Sequence, residues 1–231
     1  MRSTSVLLAA GLGLGLASSA LAGQIRMENP GSNWRDGSGW TGGAFRAAVI
    51  SGDNGLTGGP GGSSSSFLTF CLERSENFSF GSTYNTIISD RAQDGGSGGD
   101  PISDVTKAIY AEFRLAGNNA FGISGLNFNG GGDVSTYTRA IQNAIWFEEQ
   151  ELSSLPSGFA TTIWNWGVAN AGARGGAADV RVLQLWNLDG SRAQDQLTML
   201  PPGLVPLPTA GAAGMAMLGV IATRRRRGAA L

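Results

Sequence analysis

Residues 67–73 read Phe-Leu-Thr-Phe-Cys-Leu-Glu, and their side chains alternate with the two-residue period of a β-strand. One face of this strand carries the large apolar residues Leu68, Phe70 and Leu72, which identifies it as the core face. The opposite face carries the four alternate residues, Phe67, Thr69, Cys71 and Glu73. Cys71 is therefore expected to point away from the main apolar set, towards another layer or a pocket.

Further strands are predicted on both sides of this segment. Short apolar or β-branched runs predict strands over residues 44–50, 83–88, 180–186 and 196–200. The strand over residues 83–88 is the expected partner of residues 67–73. The Gly-rich segments over residues 51–66 and 90–99 predict flexible loops between these strands.

Helices are predicted between the strands, over residues 101–116, 133–151 and 159–171. Asp100 and Pro101 are typical of an N-cap followed by a first-turn proline, and Gly117 is typical of a helix end. In the second helix, Gln142 lies at the edge of the apolar stripe, one turn before Trp146. The combined pattern predicts an α+β fold of mostly antiparallel β-strands, sandwich-like or barrel-like, with two or three inserted helices.

The composition excludes several kinds of chemistry. The 231 residues include no histidine and one cysteine, Cys71. Ser-His-Asp catalysis, Cys-His catalysis and His-ligated zinc are therefore excluded, and no intrachain disulfide can form. Carboxylates in a glycine-rich setting can bind calcium. Such carboxylates are found at Asp90, Asp94, Asp100 and Asp104, but they do not have EF-hand spacing. We expect a protein that is not an enzyme and that holds no metal or other cofactor.

The N-terminus has the three parts of a secretory signal. Arg2 precedes an apolar run over residues 6–16, and Ala20-Leu21-Ala22 supplies the small residues that a signal peptidase recognises. The apolar run is too short to span a membrane as a stable helix. Residues 1–22 are therefore expected to be a signal peptide, and residues 23–204 a single domain outside the cytoplasm.

The C-terminus carries a second membrane-directed segment. Pro206 and Pro208 interrupt the preceding structure, and residues 209–223 are uncharged and mostly apolar. A basic block follows, formed by Arg224, Arg225, Arg226 and Arg227. Arginines after an apolar segment favour a cytoplasmic position for that end. Residues 205–231 are therefore expected to form a tail with a hydrophobic membrane helix.

This three-part layout resembles a PEP-CTERM sorting signal, with Leu207 where the motif that names the family has Glu. The resemblance implies processing by an exosortase-type enzyme. It also implies a place in the cell envelope or outside the cell, anchored in the membrane at least transiently. Without Arg2 and the arginine block, 11 basic residues remain against 17 acidic ones, about −6 in all, which argues against nucleic acid as a partner.

Two short motifs carry a second resemblance. They are Phe-Cys-Leu-Glu at residues 70–73 and Ile-Gln-Asn-Ala-Ile-Trp at residues 141–146. Together they resemble the thioester domains of bacterial surface adhesins, in which a strand cysteine bonds to a helix glutamine. The resemblance implies a thioester between Cys71 and Gln142. It also implies that Trp146 and Ala144 pack so as to orient Gln142.

Several alternatives remain open from the residues alone. Cys71 forms the thioester, serves as an inert buried hydrophobic residue, or forms an intermolecular disulfide. The corresponding functions are covalent attachment to an amine on a surface or matrix partner, and a non-covalent structural role in an extracellular polysaccharide matrix. A hydrolase of envelope polymers would need a pair of carboxylates facing a cleft, and the sequence indicates none.

Overall fold

The computed structural model describes residues 23–31, 42–94, 98–128, 134–176 and 178–201. All of them lie within one unit, Leu21–Leu204. The expected signal peptide over residues 1–22, the tail from residue 205 onward and the expected helix cap Asp133 lie outside the described residues.

Six strands form the main sheet, in the order β3-β2-β1-β4-β7-β8, and every neighbouring pair is antiparallel. The strands are β1 (Gly23–Glu28), β2 (Phe45–Gly52), β3 (Ser66–Thr69), β4 (Thr83–Ser89), β7 (Val180–Trp186) and β8 (Arg192–Met199). A small separate pair is formed by β5 (Arg91–Ala92) and β6 (Asp100–Pro101). The four further strands predicted from the sequence are thus present. The strand over residues 83–88 pairs with β1 and β7, however, while β3 pairs with β2.

The sheet curls until its two edge strands meet. Just after β3, the carbonyl of Phe70 accepts a hydrogen bond from the amide of Leu197 at 3.1 Å. The amide of Leu72 donates to the carbonyl of Asp195 at 3.1 Å. Edge strands leave backbone groups unpaired, and closure satisfies them. The predicted α+β fold, mostly antiparallel β with inserted helices, is confirmed.

Three α-helices lie between the strands: α1 (Asp104–Ala116), α2 (Val134–Glu148) and α3 (Phe159–Asn170). The predicted start of α1 at Asp100 and Pro101 is wrong, because those two residues pair with β5. Ser103 is the N-cap instead, and its hydroxyl accepts a hydrogen bond from the amide of Thr106 at 3.0 Å. Gly117 ends the helix as predicted. Among the described residues, no helix has both the length and the hydropathy needed to cross a membrane.

The two faces of residues 67–73 pack in different layers. Leu68, Phe70 and Leu72 belong to the larger apolar core, which includes residues of all three α-helices. The ring of Phe70 lies 5.1 Å from the ring of Phe113 on α1, edge to face. Phe67, on the other face, packs in a second cluster with residues of β1 and β7. The predicted core face is confirmed, and the Cys71 face is buried as well.

Candidate functional site

Cys71 lies at the point where the curled sheet closes. It forms a bridge with Gln196 of β8, and only 2% of its surface is exposed. Phe70 and Leu72 direct their backbone hydrogen bonds towards β8. In an antiparallel ladder the backbone groups of the intervening residue point to the opposite side. The amide and carbonyl of Cys71 therefore need partners that β8 does not supply.

The side chain of Gln142 supplies both partners. The amide of Cys71 donates to Gln142 Oε1 at 3.0 Å, and Gln142 Nε2 donates to the carbonyl of Cys71 at 2.8 Å. Gln142 lies on α2 and is fully buried. Its primary amide therefore pairs with the strand backbone as a neighbouring strand would. The structure brings together the two residues that the sequence motifs indicate.

The thiol of Cys71 has a different set of neighbours. Cys71 Sγ donates to Gln194 Oε1 at 2.9 Å, and Gln196 Nε2 donates to Cys71 Sγ at 3.4 Å. Gln194 is itself fixed, because its Nε2 donates to the carbonyl of Glu73 at 2.5 Å. Three glutamine amides therefore surround Cys71, one on its backbone and two on its sulfur.

Packing around Gln142 comes from Trp146 and from Gly42. Trp146 lies one helical turn after Gln142 and is 4% exposed. A Cβ added to Gly42 would lie 2.5 Å from Gln142 Cγ and 2.8 Å from the Trp146 ring, so this glycine permits a close approach to both. Ala144 is fully buried in the larger apolar core. It lies two residues beyond Gln142, on a different side of the helix.

Burial controls the electrostatics of the site. It raises the pKa of the Cys71 thiol far above its usual range; the hydrogen bond from Gln196 opposes this rise, and the charge of Glu73 adds to it. Burial raises the pKa of Glu73 to about 9, with repulsion from Asp195 as the next cause. Burial also raises the pKa of Asp195 to about 7, against the hydrogen bonds from Gln93. At neutral pH the thiol and Glu73 are protonated.

The buried polar residues around the cysteine are called the polar seam below; they are Cys71, Glu73, Gln142, Gln194, Asp195 and Gln196. The sequence motifs indicate no role for the three residues of the seam that lie on β8, namely Gln194, Asp195 and Gln196. Their signal was the run Gln-Asp-Gln at residues 194–196, of which only Gln196 lay in a predicted strand, since a run of polar residues on both faces of a buried strand needs polar partners. Cys71 and Glu73 provide them for Gln194 and Gln196, and Gln93 provides them for Asp195.

Metal-binding clusters and the expected sorting residues are not part of this site. No group of three or more His, Cys, Asp or Glu residues that could hold a metal ion occurs within the described ranges. The sorting residues Pro206 and Pro208 and the arginines at 224–227 lie outside those ranges. The polar seam therefore offers acyl and proton chemistry between a thiol, amides and carboxyl groups, with water largely excluded.

No family model, no curated protein and no solved structure matches the chain. A function is therefore inferred from the arrangement of the polar seam together with the sequence motifs.

Proposed function

We propose that the chain is an exported cell-surface or extracellular-matrix protein that attaches covalently to amine-bearing partners through a thioester between Cys71 and Gln142. The observation that supports it most is the buried Gln142 amide, held against the backbone of Cys71 by two hydrogen bonds. The sorting-signal pattern of residues 205–227 supports delivery to the envelope by an exosortase-type enzyme, with the tail in the membrane at least transiently.

Thioester formation needs no reagent beyond the two side chains. The bond between Cys71 Sγ and Gln142 Cδ forms, the bond between Cδ and Nε2 breaks, and the thiol proton leaves with the nitrogen as ammonia. The reaction is slow in water, and prior positioning of both groups by the fold lowers its entropic cost. The hydrogen bond from Nε2 to the Cys71 carbonyl must break first, so that the acyl group can turn towards the sulfur, and Nε2 leaves once the bond between Sγ and Cδ has formed.

Gln194 and Gln196 act as positioning residues for the sulfur. One accepts from the thiol and the other donates to it, which fixes the direction of Sγ. A partner amine then attacks Cδ, the bond between Cδ and Sγ breaks, and a proton from the amine nitrogen moves to the sulfur. The products are an amide at Gln142 and a neutral thiol. The raised pKa of Cys71 keeps the sulfur as a neutral thiol, which is a weak nucleophile. It therefore slows both the first attack on the Gln142 amide and the reverse attack on the product.

Mass spectrometry of the exported protein before and after methylamine tests this proposal. A thioester predicts a gain of about 31 Da, located at Gln142 by peptide sequencing, and a thiol at Cys71 that alkylates in the unfolded protein only after the amine has reacted. If the mass stays constant and Cys71 alkylates on unfolding without amine treatment, the thioester is absent.

Matched glutamine variants sharpen this test. Gln142→Glu and Cys71→Ser are expected to abolish methylamine incorporation. Gln194→Glu makes the same chemical change at a neighbouring buried amide and is expected to retain incorporation at Gln142 at a lower rate. Circular dichroism of each variant establishes that it is folded. Methylamine found on Gln194 of the native protein would show that Gln194, and not Gln142, is the acyl partner of Cys71.

The second candidate is a non-covalent structural component of an extracellular polysaccharide matrix. The same two hydrogen bonds support it, because they satisfy backbone groups of Cys71 that would otherwise be buried without partners. On this alternative, Cys71→Ser leaves matrix association unchanged; loss of association would argue for the covalent function. A hydrolytic function would need two carboxyl groups that face one cleft. The pair Glu73 and Asp195 does not meet this requirement, because Asp195 does not line the neighbouring cleft.

A further inference from the structure

An acidic cleft of about 270 Å³ adjoins the polar seam. Its lining includes five carboxyl groups, those of Glu73, Asp94, Asp100, Glu149 and Glu151, and no lysine or arginine among the described residues. Leu72 also lines it, so the cleft reaches the residue next to Cys71. A cleft lined by one sign of charge concentrates ligands of the opposite sign.

Glu73 is the carboxyl group that links the cleft to the seam. It is 3% exposed, and its Oε2 accepts from the amide of Asp195 at 3.2 Å. Its other oxygen, Oε1, is buried and has no hydrogen-bond partner in the described part of the chain. Buried polar atoms without partners are costly and rare. When Glu73 is ionised, this oxygen, in a residue that lines the cleft, can accept a hydrogen bond from a ligand in the cleft.

The other charged groups around the cleft do not supply that donor. Glu149 and Glu151 accept from the backbone amides of Ser103 and Arg74, at 3.2 and 2.8 Å. Arg192 is a cation near the cleft, and its guanidinium donates to the carbonyl of Gln93 at 3.0 Å. Its charge acts on Glu76, on which Asp94 and Glu151 act with the opposite effect. The cleft lining itself stays acidic.

We propose that this cleft receives a primary alkylammonium group, as on a lysine side chain, and that Glu73 Oε1 accepts its hydrogen bond and then its proton. The proton transfer prepares the amine for attack on the thioester carbonyl, and this second step rests on the proposed function. The recognition step concerns the cleft alone. It assigns a substrate class, a cationic amine, to a site whose general reaction is acyl transfer.

The proton balance is consistent with the burial of Glu73. An arriving ammonium stabilises the carboxylate, so Glu73 releases its proton to solvent and then takes one from the ammonium. The amine is left neutral and Glu73 protonated. An ordinary glutamate lies about six pKa units below a lysine amine, which makes this transfer unfavourable. Burial, which raises the pKa of Glu73 in the unoccupied cleft, also disfavours the charged pair of ammonium and carboxylate, and so favours transfer to the neutral pair.

Recognition is tested without the thioester, on the full exported chain carrying Cys71→Ser. Its backbone amides are followed by NMR during titration with 1,5-diaminopentane, n-pentylamine or 5-aminopentanoate, which share one reactive end and differ in charge at the other. The diamine is expected to bind at least tenfold more tightly than 5-aminopentanoate and to shift amides of residues 72–74. Glu73→Gln is expected to weaken binding of the diamine. Equal binding of all three compounds, or shifts elsewhere, would overturn the proposal.

Proton transfer is tested on the native chain by the rate of amine incorporation at Gln142. Glu73→Gln is expected to slow n-pentylamine at least tenfold while changing the rate with methoxyamine, which is uncharged at neutral pH, less than twofold. The thioester content of both proteins is measured first, from the mass gained with excess methylamine. Absence of the thioester in the native protein refutes the proposed function and leaves recognition to the NMR titration. A thioester that reacts with n-pentylamine at equal rates in both proteins refutes the role of Glu73.

Discussion

Four charged side chains of the described residues are almost fully buried, and they occupy two regions with opposite surroundings. On α1, Arg114 donates to the carbonyls of Leu56 and Gly58 at 2.6 and 3.1 Å, and to the hydroxyl of Tyr110 at 3.1 Å. Glu112, on the same helix, accepts from the Arg174 guanidinium at 2.6 Å. Each charge in this region has partners of complementary polarity, although Arg114 Nε itself is buried without one in the described part of the chain.

The polar seam buries its two charged groups differently. Glu73 and Asp195 have the same sign, and neither makes an ion pair within the described ranges. Asp195 is satisfied by the backbone amide and side chain of Gln93, both at 2.6 Å. Glu73 keeps one oxygen without a partner.

The difference separates a structural use of buried charge from a functional one. Around α1 the charges fasten the loop at residues 56–58 and the turn that carries Arg174. In the polar seam, two carboxyl groups are kept at a cost in stability, since burial without a counter-ion disfavours their charged forms. Strongly shifted groups in a cleft are typical of functional sites. The experiments below perturb one region and leave the other intact.

The largest effect is expected from pH. The pKa values of Glu73 and Asp195 are raised in the folded state, so the folded protein binds more protons than the unfolded one at neutral pH. The free energy of unfolding should therefore fall as pH rises, from about 5 to about 7 through both carboxyl groups and from about 7 to about 9 through Glu73 alone, by up to about 1.4 kcal/mol per pH unit for each group. Urea denaturation at four pH values measures this slope.

Glu73→Gln assigns the slope to its source. Glutamine resembles the protonated acid, so this variant should lose most of the Glu73 contribution and become more stable than the native protein at pH 8. Unchanged slopes in the two proteins would mean that Glu73 titrates normally in the fold. Arg114→Met provides the control, because arginine does not titrate in this range and its removal should lower stability equally at every pH.

The second effect is the loss of stability in that arginine variant. Arg114→Met leaves two carbonyls and the Tyr110 hydroxyl buried with fewer partners, and it should reduce the free energy of unfolding by about 3 kcal/mol. Lys107→Met on the same helix removes a partly exposed ion pair with Asp104 and should cost less than about 0.5 kcal/mol. Similar losses in the two variants would contradict a structural role for the α1 charges.

Much of the fold could be predicted from periodicity. Residues 67–73 alternate between two faces, residues 180–186 form a largely apolar run, and Ile141 and Ile145 recur at helical spacing on α2. The start of α1 was predicted wrongly because two neighbouring segments both resemble a helix N-cap. Asp100 and Pro101 resemble a helix start, yet Ser103 caps the helix because its hydroxyl reaches the amide of Thr106. The expected pairing of residues 67–73 with residues 83–88 is wrong, because β4 pairs with β1 and β7, which are distant from it in sequence. The pairing of β3 with β2 follows the common rule that consecutive strands lie side by side.

The site was predicted only in part, for a physical reason. The motifs indicate Cys71 and Gln142 as a pair, and the structure places the side chain of Gln142 against the backbone of Cys71. They do not indicate that the sulfur contacts residues of β8, because 123 residues separate Cys71 from Gln194. Polar residues in a strand usually face water. Their burial becomes predictable only when the sheet is known to close at Cys71.

The smallest effect concerns the contact of Gly42 with the polar seam. Gly42→Ala should lower stability through its positive φ of 68° and through the collision of the new Cβ with Gln142 and Trp146. Gly81→Ala is a matched control, because Gly81 has a φ of 80° and no atom within 4 Å of the added Cβ. The difference between the variants isolates the collision, which should cost about 1–2 kcal/mol.

The same pair of variants also reports on the chemistry. If Gly42 holds Gln142 against Cys71, Gly42→Ala should slow methylamine incorporation at Gln142, whereas Gly81→Ala should not. Equal stability and equal incorporation in the two variants would show that Gly42 does not hold Gln142 in place. A different outcome is that Gly42→Ala loses incorporation while keeping the stability of Gly81→Ala. That result would show that the contact positions Gln142 for the reaction without being needed for folding, because a small displacement of the acyl group stops the chemistry before it weakens the fold.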